Sequence, residues 1–215
     1  MKVVVFGATG MLGQGVLREC LLADDVEKVL VVTRTPTGVR HPKLDEVVHA
    51  DFADLSAVED RLAGYDACFY CLGVSAVGRG EADYTRITYD YTLAAARPLA
   101  RLNPGLTFVY VSRAGTDPKG RAMWARVKGR TENAVLELFP NGYAARPGVI
   151  LPTHGARSKT RWYRLFYTLA TPLFPVLRKA FPGAVVTTDG LGRAMLRVAR
   201  GGAPSRILTN RDLVG

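Results

Sequence analysis

Val3-Val4-Val5-Phe6-Gly7-Ala8-Thr9-Gly10-Met11-Leu12-Gly13 decides how this chain folds. Four apolar residues in a row, rich in β-branched valine, read as a strand buried on both faces. Three glycines at Gly7, Gly10 and Gly13 follow at once, and an amphipathic stretch begins immediately after them. Gly7 permits a sharp turn, Gly10 lets the backbone approach a pyrophosphate, and Gly13 lets the helix pack closely on the strand. The backbone from Thr9 through Met11 and Leu12 then presents a helix N-terminus, whose free N–H groups and partial positive charge suit an anion. Strand, glycine turn and helix in that order make the fingerprint specific; the glycines alone would mark only a tight turn.

Working outward, short apolar runs alternate with longer helical patterns along the 215 residues. Strands are expected near 2–6, 28–33, 46–50, 66–71, 106–111 and 143–146, with helices near 11–23, 55–63, 83–101 and 119–139. Such alternation predicts an α/β fold with a doubly wound parallel sheet in the order 3-2-1-4-5-6, that is, a Rossmann fold. Length predicts one domain over 1–215, with 150–185 as a basic, aromatic lid or interaction segment. In open sheets of this kind ligands bind beyond the carboxyl ends of the strands. Asp51-Phe52 after the third strand and Cys71-Leu72-Gly73 after the fourth occupy such positions. The second strand ends Val31-Val32-Thr33-Arg34, with no acid until Asp45. An acid there would take ribose hydroxyls, whereas Arg34 suits a 2′-phosphate, so NADP(H) is expected over NAD(H).

Composition sets the class. The chain is 48% hydrophobic and 22% charged, an ordinary globular balance that excludes disorder and low complexity. Three cysteines (Cys20, Cys68, Cys71) are too few for a disulfide scaffold, and no secretory leader opens the chain, so a reduced, cytoplasmic protein is expected. Cys68 and Cys71 have redox-motif spacing, but on a strand they face opposite sides and read as buried thiols. His41, His49 and His154 have no metal spacing, and no metal site is expected. Residues 1–100 carry 10 Lys/Arg against 14 Asp/Glu, while residues 101–215 carry 19 against 5. That asymmetry suits a phosphate-bearing ligand or an anionic surface. No nucleic-acid module accompanies it, and no nucleic-acid partner is expected.

Further motifs follow in order: Val109-Tyr110-Val111-Ser112 and Arg146-Pro147-Gly148. With the glycine turn, Asp51-Phe52 and Cys71-Leu72-Gly73, they make the chain resemble the short-chain dehydrogenase/reductase superfamily. The likeness is strongest to its atypical branch of small nucleoside-diphosphate-sugar-epimerase-like and Tat-interactive oxidoreductase-like proteins, and covers roughly residues 1–150. It implies Asp51 near an adenine, Leu72 and Gly73 along the cofactor, and Pro147, Gly148 and Val149 near the nicotinamide. It implies a serine at Ser112 and a lysine at Lys128, which holds the nicotinamide ribose and tunes a tyrosine four residues earlier. That tyrosine is missing: Trp124 stands in its place. Indole donates a hydrogen bond but is no proton-transfer acid near neutral pH. Trp124 lies on an apolar stripe with Val127, Thr131, Val135 and Leu138, so it is expected either to pack in the core or to stack in the emptied slot. Ser112, Lys128, or a tyrosine from the Tyr84–Tyr89 stretch would then supply the proton. The expected function is an NADP(H)-binding oxidoreductase or epimerase-like protein acting on a carbonyl or sugar-like small molecule. The alternative is a cofactor-binding regulatory or interaction protein without turnover.

Residues 138–188 contain seven Lys/Arg and no Asp or Glu. Within them, Trp162–Leu177 has 11 apolar residues of 16, too short and too proline-broken to span a bilayer. The cations of 157–179 flank this apolar run. A lid over substrate is expected first, with peripheral membrane contact as an addition.

Overall fold

The computed structural model describes residues 1–155 and 185–214. The expected lid and membrane-contact segment at 157–179 lies outside the described residues.

Strand β1 (Lys2–Phe6) lies inside a parallel sheet, between β2 (Lys28–Thr33) and β4 (Ala67–Tyr70). Val4 stands in register with Leu30 on one side and Cys68 on the other. The sheet continues outward to β3 (Leu44–Val48) at one edge, and through β5 (Thr107–Val111) and β6 (Gly142–Ala145) on the other side. The expected order 3-2-1-4-5-6 is therefore the observed one. A seventh strand, β9 (Ile207–Leu208), extends it beyond β6. A separate two-stranded parallel sheet pairs β7 (Val149–Leu151) with β8 (Val185–Thr187).

Strand alternation sends side chains to two cores. Val3, Val5, Val29, Val31, Phe69 and Val109 face the helices α1 (Met11–Leu22) and α5 (Thr188–Gly201). Val4, Phe6, Leu30, Val32, Tyr70, Phe108 and Tyr110 face the opposite layer, which holds α3 (Tyr91–Leu102) and α4 (Met123–Leu138). Both sets are buried because helices cover both faces, which is why the strands read as continuous apolar runs. Cys68 belongs to one core and Cys71 packs on the other, so the opposed facing expected for them holds; Cys71, however, is only partly buried.

Several element boundaries differ from the expected ones. The expected helix at 55–63 is a tight 3-10 turn over Ser56–Leu62. The helix expected at 83–101 begins as α2 (Glu81–Thr85), passes through a π turn at Arg86–Asp90, and continues as α3. A π turn frees carbonyls from the i→i+4 ladder. Here the Thr88 carbonyl accepts from the hydroxyls of Thr92 (2.6 Å) and Thr131 (3.5 Å) instead. Helix α4 starts at Met123 rather than 119, after a turn in which Gly120 donates to the Asp117 carbonyl. Helix α5 was not foreseen. Its signals are a Thr187 side chain that accepts from the Gly190 N–H, and buried Leu191, Ala194, Met195 and Val198 at helical spacing. A short α6 (Asn210–Leu213) ends the described chain.

Candidate functional site

Parallel pairing puts the carboxyl ends of β1, β2, β4, β5 and β6 on one edge of the sheet, and the glycine turn, Arg34, Cys71-Leu72-Gly73, Ser112 and Pro147 follow those strand ends in the chain. The turn after β1 is built around contacts only glycine can make. Gly7 has φ +79°, and a Cβ there would lie 2.5 Å from the Leu72 nitrogen. The first turn is thereby clamped against Cys71-Leu72, whose backbone continues β4. A Cβ on Gly13 would run into the Gly7 carbonyl and backbone. Gly10 differs: its Cβ would meet only the Gly7 oxygen, at 3.3 Å, so its outer side is open. Gly10 is the N-cap of α1 and has no side-chain cap. The N–H groups of Met11, Leu12 and Gly13 in the first turn have no acceptor within the helix. Gln14 holds the turn by donating to the Thr9 carbonyl at 3.2 Å. An open glycine beside uncapped helix N–H groups is the form a pyrophosphate fits.

Beyond β2, Arg34 is exposed and is in no ion pair among the described residues. Thr33 just before it donates its hydroxyl to the Thr35 carbonyl (2.8 Å). The next acids along the chain are occupied elsewhere. Asp45 takes Arg61 (2.7 Å) and Lys28 (3.2 Å), and Glu46 accepts from the Thr37 N–H and hydroxyl. Asp51 is exposed and accepts from the Ala53 N–H, while Phe52 is buried edge-on to Phe6. Leu72 is partly buried; Gly73 is exposed, and a Cβ on it would meet nothing within 4 Å.

Beyond β5, Ser112 is buried. Its backbone N–H donates to the Ala145 carbonyl at 2.7 Å, and its hydroxyl lies 3.0 Å from that of Thr116. The Thr116 hydroxyl donates its single proton to the Arg113 carbonyl at 2.8 Å, so Ser112 is the donor in the Ser112–Thr116 bond. Ser112 therefore keeps lone pairs to accept with. Lys128 extends from α4 toward this point, with Nζ donating to the Tyr110 hydroxyl (3.2 Å) and to the Val111 carbonyl (3.3 Å). Burial lowers the Lys128 pKa to about 8, with Glu132 opposing and Arg113 adding to the shift. Ala114 donates to the Pro147 carbonyl at 3.0 Å, and Gly148 to the Asn210 side chain at 2.8 Å; Val149 beside them is half exposed. The fold thus brings Ser112, Lys128, Pro147 and Val149 to neighbouring strand ends.

Trp124 belongs to neither core. It is half-buried, and the Arg113 guanidinium lies 4.5 Å from the centre of its ring. Among the described residues it packs in neither core, and one ring face is occupied by Arg113. Tyr84 is buried within reach of the Arg113 charge, and burial pushes its phenol up; Tyr89 is partly exposed. Arg113, Thr116 and Glu132 join the site beyond the expected residues, and Tyr110 enters it as a contact of Lys128. Glu132 had a readable signal, four residues beyond Lys128 on one helix face; Arg113 had none.

Residues 3–128 match the family model described as the NAD dependent epimerase/dehydratase family. The chain belongs to that family. Among the relatives of this family member is the mitochondrial protein FMP52-1 of Scheffersomyces stipitis, 29% identical over 154 residues, covering 70% of this chain and 68% of that one. The mitochondrial protein FMP52 of Saccharomyces cerevisiae is 30% identical over 156 residues, covering 70% and 66%. These names correct the cytoplasmic expectation, since FMP52 of several yeasts is designated mitochondrial. The family fold is also that of the Bordetella bronchiseptica enzyme WbmF in complex with NAD+, with TM-score 0.70 and 17% identity over 99% of this chain and 76% of that one. An oxidoreductase of the short chain dehydrogenase/reductase family from Burkholderia thailandensis superposes with TM-score 0.72 and 18% identity, covering 97% and 90%.

Proposed function

We propose that this chain binds NADP(H) along the strand ends and reduces, oxidises or epimerises a small carbonyl or sugar-like substrate beside Ser112 and Lys128. One observation carries the reading: the glycine turn with its uncapped α1 N-terminus lies on the same sheet edge as a serine with free lone pairs and a half-buried lysine. Gly7, Thr9, Gly10, Met11, Leu12 and Gly13 hold the pyrophosphate. Arg34 takes the 2′-phosphate, which is the ground for preferring NADP(H) to NAD(H). Asp51 and Phe52 flank the adenine side, Cys71, Leu72 and Gly73 run along the middle, and Pro147 and Val149 border the nicotinamide. The cofactor, when bound, supplies the two-electron chemistry.

Lys128 contacts the nicotinamide ribose and moves the proton. With Trp124 unable to act as an acid, it is the group beside Ser112 whose ionisation falls nearest neutrality. Ser112, whose own proton points to Thr116, accepts from the hydroxyl of the alcohol form of the substrate. The Tyr110 hydroxyl and the Val111 carbonyl fix the amine from behind.

Trp124 also favours a second reading, a cofactor-binding interaction protein without turnover, because the residue best suited to proton transfer is absent. A panel of aldehydes, ketones and keto-sugars followed by NADPH absorbance separates the two. Turnover that K128M abolishes supports the enzyme. Tight cofactor binding with no turnover across the panel supports the second reading.

A further inference from the structure

Arg113 sits in an unusual electrostatic position. It follows Ser112 at the end of β5, and its own carbonyl is pinned by the N–H (3.2 Å) and hydroxyl (2.8 Å) of Thr116. The turn passes through Gly115, at φ +82°, and a Cβ there would lie 3.4 Å from the Trp124 ring. The indole is thus wedged between the turn and the Arg113 guanidinium stacked on it. Stacking holds one face of a guanidinium and leaves its in-plane N–H fork available.

Asp117, four positions along, is not paired with this cation; its carboxylate accepts from the Lys119 N–H at 2.9 Å. Arg113 has no ion pair among the described residues. The acids on the neighbouring helices are engaged elsewhere: Glu81 with Arg126, Asp83 with Arg79 and Arg86, and Glu132 with Arg146. Residues 156–184 contain no Asp or Glu, so no side chain there can neutralise Arg113 either. The Arg113 charge also reaches Lys128 and Tyr84, so two cations border the Ser112 position. Glu132, paired with Arg146, is the carboxylate whose charge reaches Lys128, and none is paired with Arg113 among the described residues, so its guanidinium is left to receive an anion.

We propose that Arg113 is a substrate-specificity residue that receives an oxyanion, a carboxylate or a phosphate, carried by the carbonyl substrate, and that Trp124 is the platform holding its guanidinium in place. The inference rests on the cofactor-site reading above and names the substrate class of that same site. It gives Trp124 a reason to occupy its position: an aromatic face beneath a cation, where a tyrosine would have offered a hydroxyl.

The test is calorimetry on protein saturated with NADP+, so that ketone reduction cannot run. Two matched pairs serve as probes: 4-acetylbenzoate against 4-methylacetophenone, and dihydroxyacetone phosphate against dihydroxyacetone. In wild type, at least one anionic probe is expected to bind about tenfold to a hundredfold more tightly than its neutral partner, the range of a charge-assisted hydrogen bond. R113Q is expected to erase that preference while leaving NADP+ affinity unchanged. R113K separates the sources: it retains a phosphate preference but loses a carboxylate one, because lysine has charge without the fork. Equal binding of both members of both pairs overturns the proposal, as does a preference that survives R113Q. Loss of NADP+ affinity in R113Q also overturns it, by assigning Arg113 to the cofactor. Failure of wild type to bind NADP+ at all overturns the function proposed above along with this one, and so is distinguishable from failure of the anion arm alone.

Discussion

Glu132 and Arg146 form a bidentate ion pair that joins the helix carrying Lys128 to the segment carrying Pro147 and leading into β7 at Val149. Arg146 Nε lies 3.0 and 3.2 Å from the two Glu132 oxygens, and Nη2 lies 2.6 Å from the second. The glutamate side chain is 1% exposed and the arginine 27%. That imbalance decides which partner matters more. R146M leaves a buried carboxylate unpaired and is expected to cost about 3–5 kcal/mol. E132Q keeps an acceptor oxygen against a partly solvated arginine and is expected to cost about 1–3 kcal/mol. Urea unfolding of both variants checks the order; a larger loss in E132Q would contradict it.

The glycine turn separates two kinds of glycine. G13A drives a methyl into the Gly7 carbonyl and is expected to cost roughly 1–3 kcal/mol through overpacking. G10A meets one oxygen at 3.3 Å, so its fold is expected to survive. Its methyl occupies the open side instead, and NADPH affinity should fall about tenfold or more, equal to about 1.4 kcal/mol per decade. Thermal unfolding and calorimetry run on both variants should show stability lost in one and affinity in the other.

Lys128 ties stability to pH with a definite sign. Burial lowers its folded-state pKa to about 8 from the ordinary 10.5. Below about 8 both states are protonated, and the folded state bears the cost of a desolvated charge. Between about 8 and 10.5 the unfolded chain holds a proton that the folded chain has lost, so this residue's contribution to stability rises with pH across that window. The stability of wild type relative to K128M should therefore increase from about pH 7 to about pH 10. A difference that stays flat or declines would remove the buried-lysine account.

Restoring the missing acid tests what Trp124 costs. Ser112 and Lys128 are already in place, so W124Y supplies a phenol one helical turn from the amine. Turnover on carbonyls is expected to rise about 10²–10⁴-fold over W124F, the usual span of general acid catalysis. W124F controls for the loss of the indole. Equal rates in the two variants would show that the slot is not where protons move.

How far the sequence could be read depended on how local each constraint is. Gly7 and Gly13 were legible because the turn forbids a Cβ there through contacts within a few residues and with the chain after β4, and Gly10 because its spacing completes the fingerprint. The strand order followed from the alternation of strands and helices behind the glycine fingerprint. Helix α5 carries its cap and apolar stripe in the sequence, but what places it is a contact with α1 more than 170 residues away. It lies against α1 at a glycine seam, where a Cβ on Gly15 would come within 2.6 Å of Thr188. Arg113 was illegible for a different reason. Its meaning depends on Trp124, eleven positions along, and on its having no ion pair among the described residues, and no periodicity encodes either.

The central claim is a nicotinamide dinucleotide site with Arg34 choosing the phosphorylated form. Calorimetric titration of wild type with NADPH and with NADH tests it most directly. The account predicts that both bind and that NADPH binds at least about tenfold more tightly, a difference of about 1.4 kcal/mol that R34A abolishes. Binding of neither nucleotide would contradict the site itself, and equal or tighter binding of NADH would contradict the role given to Arg34.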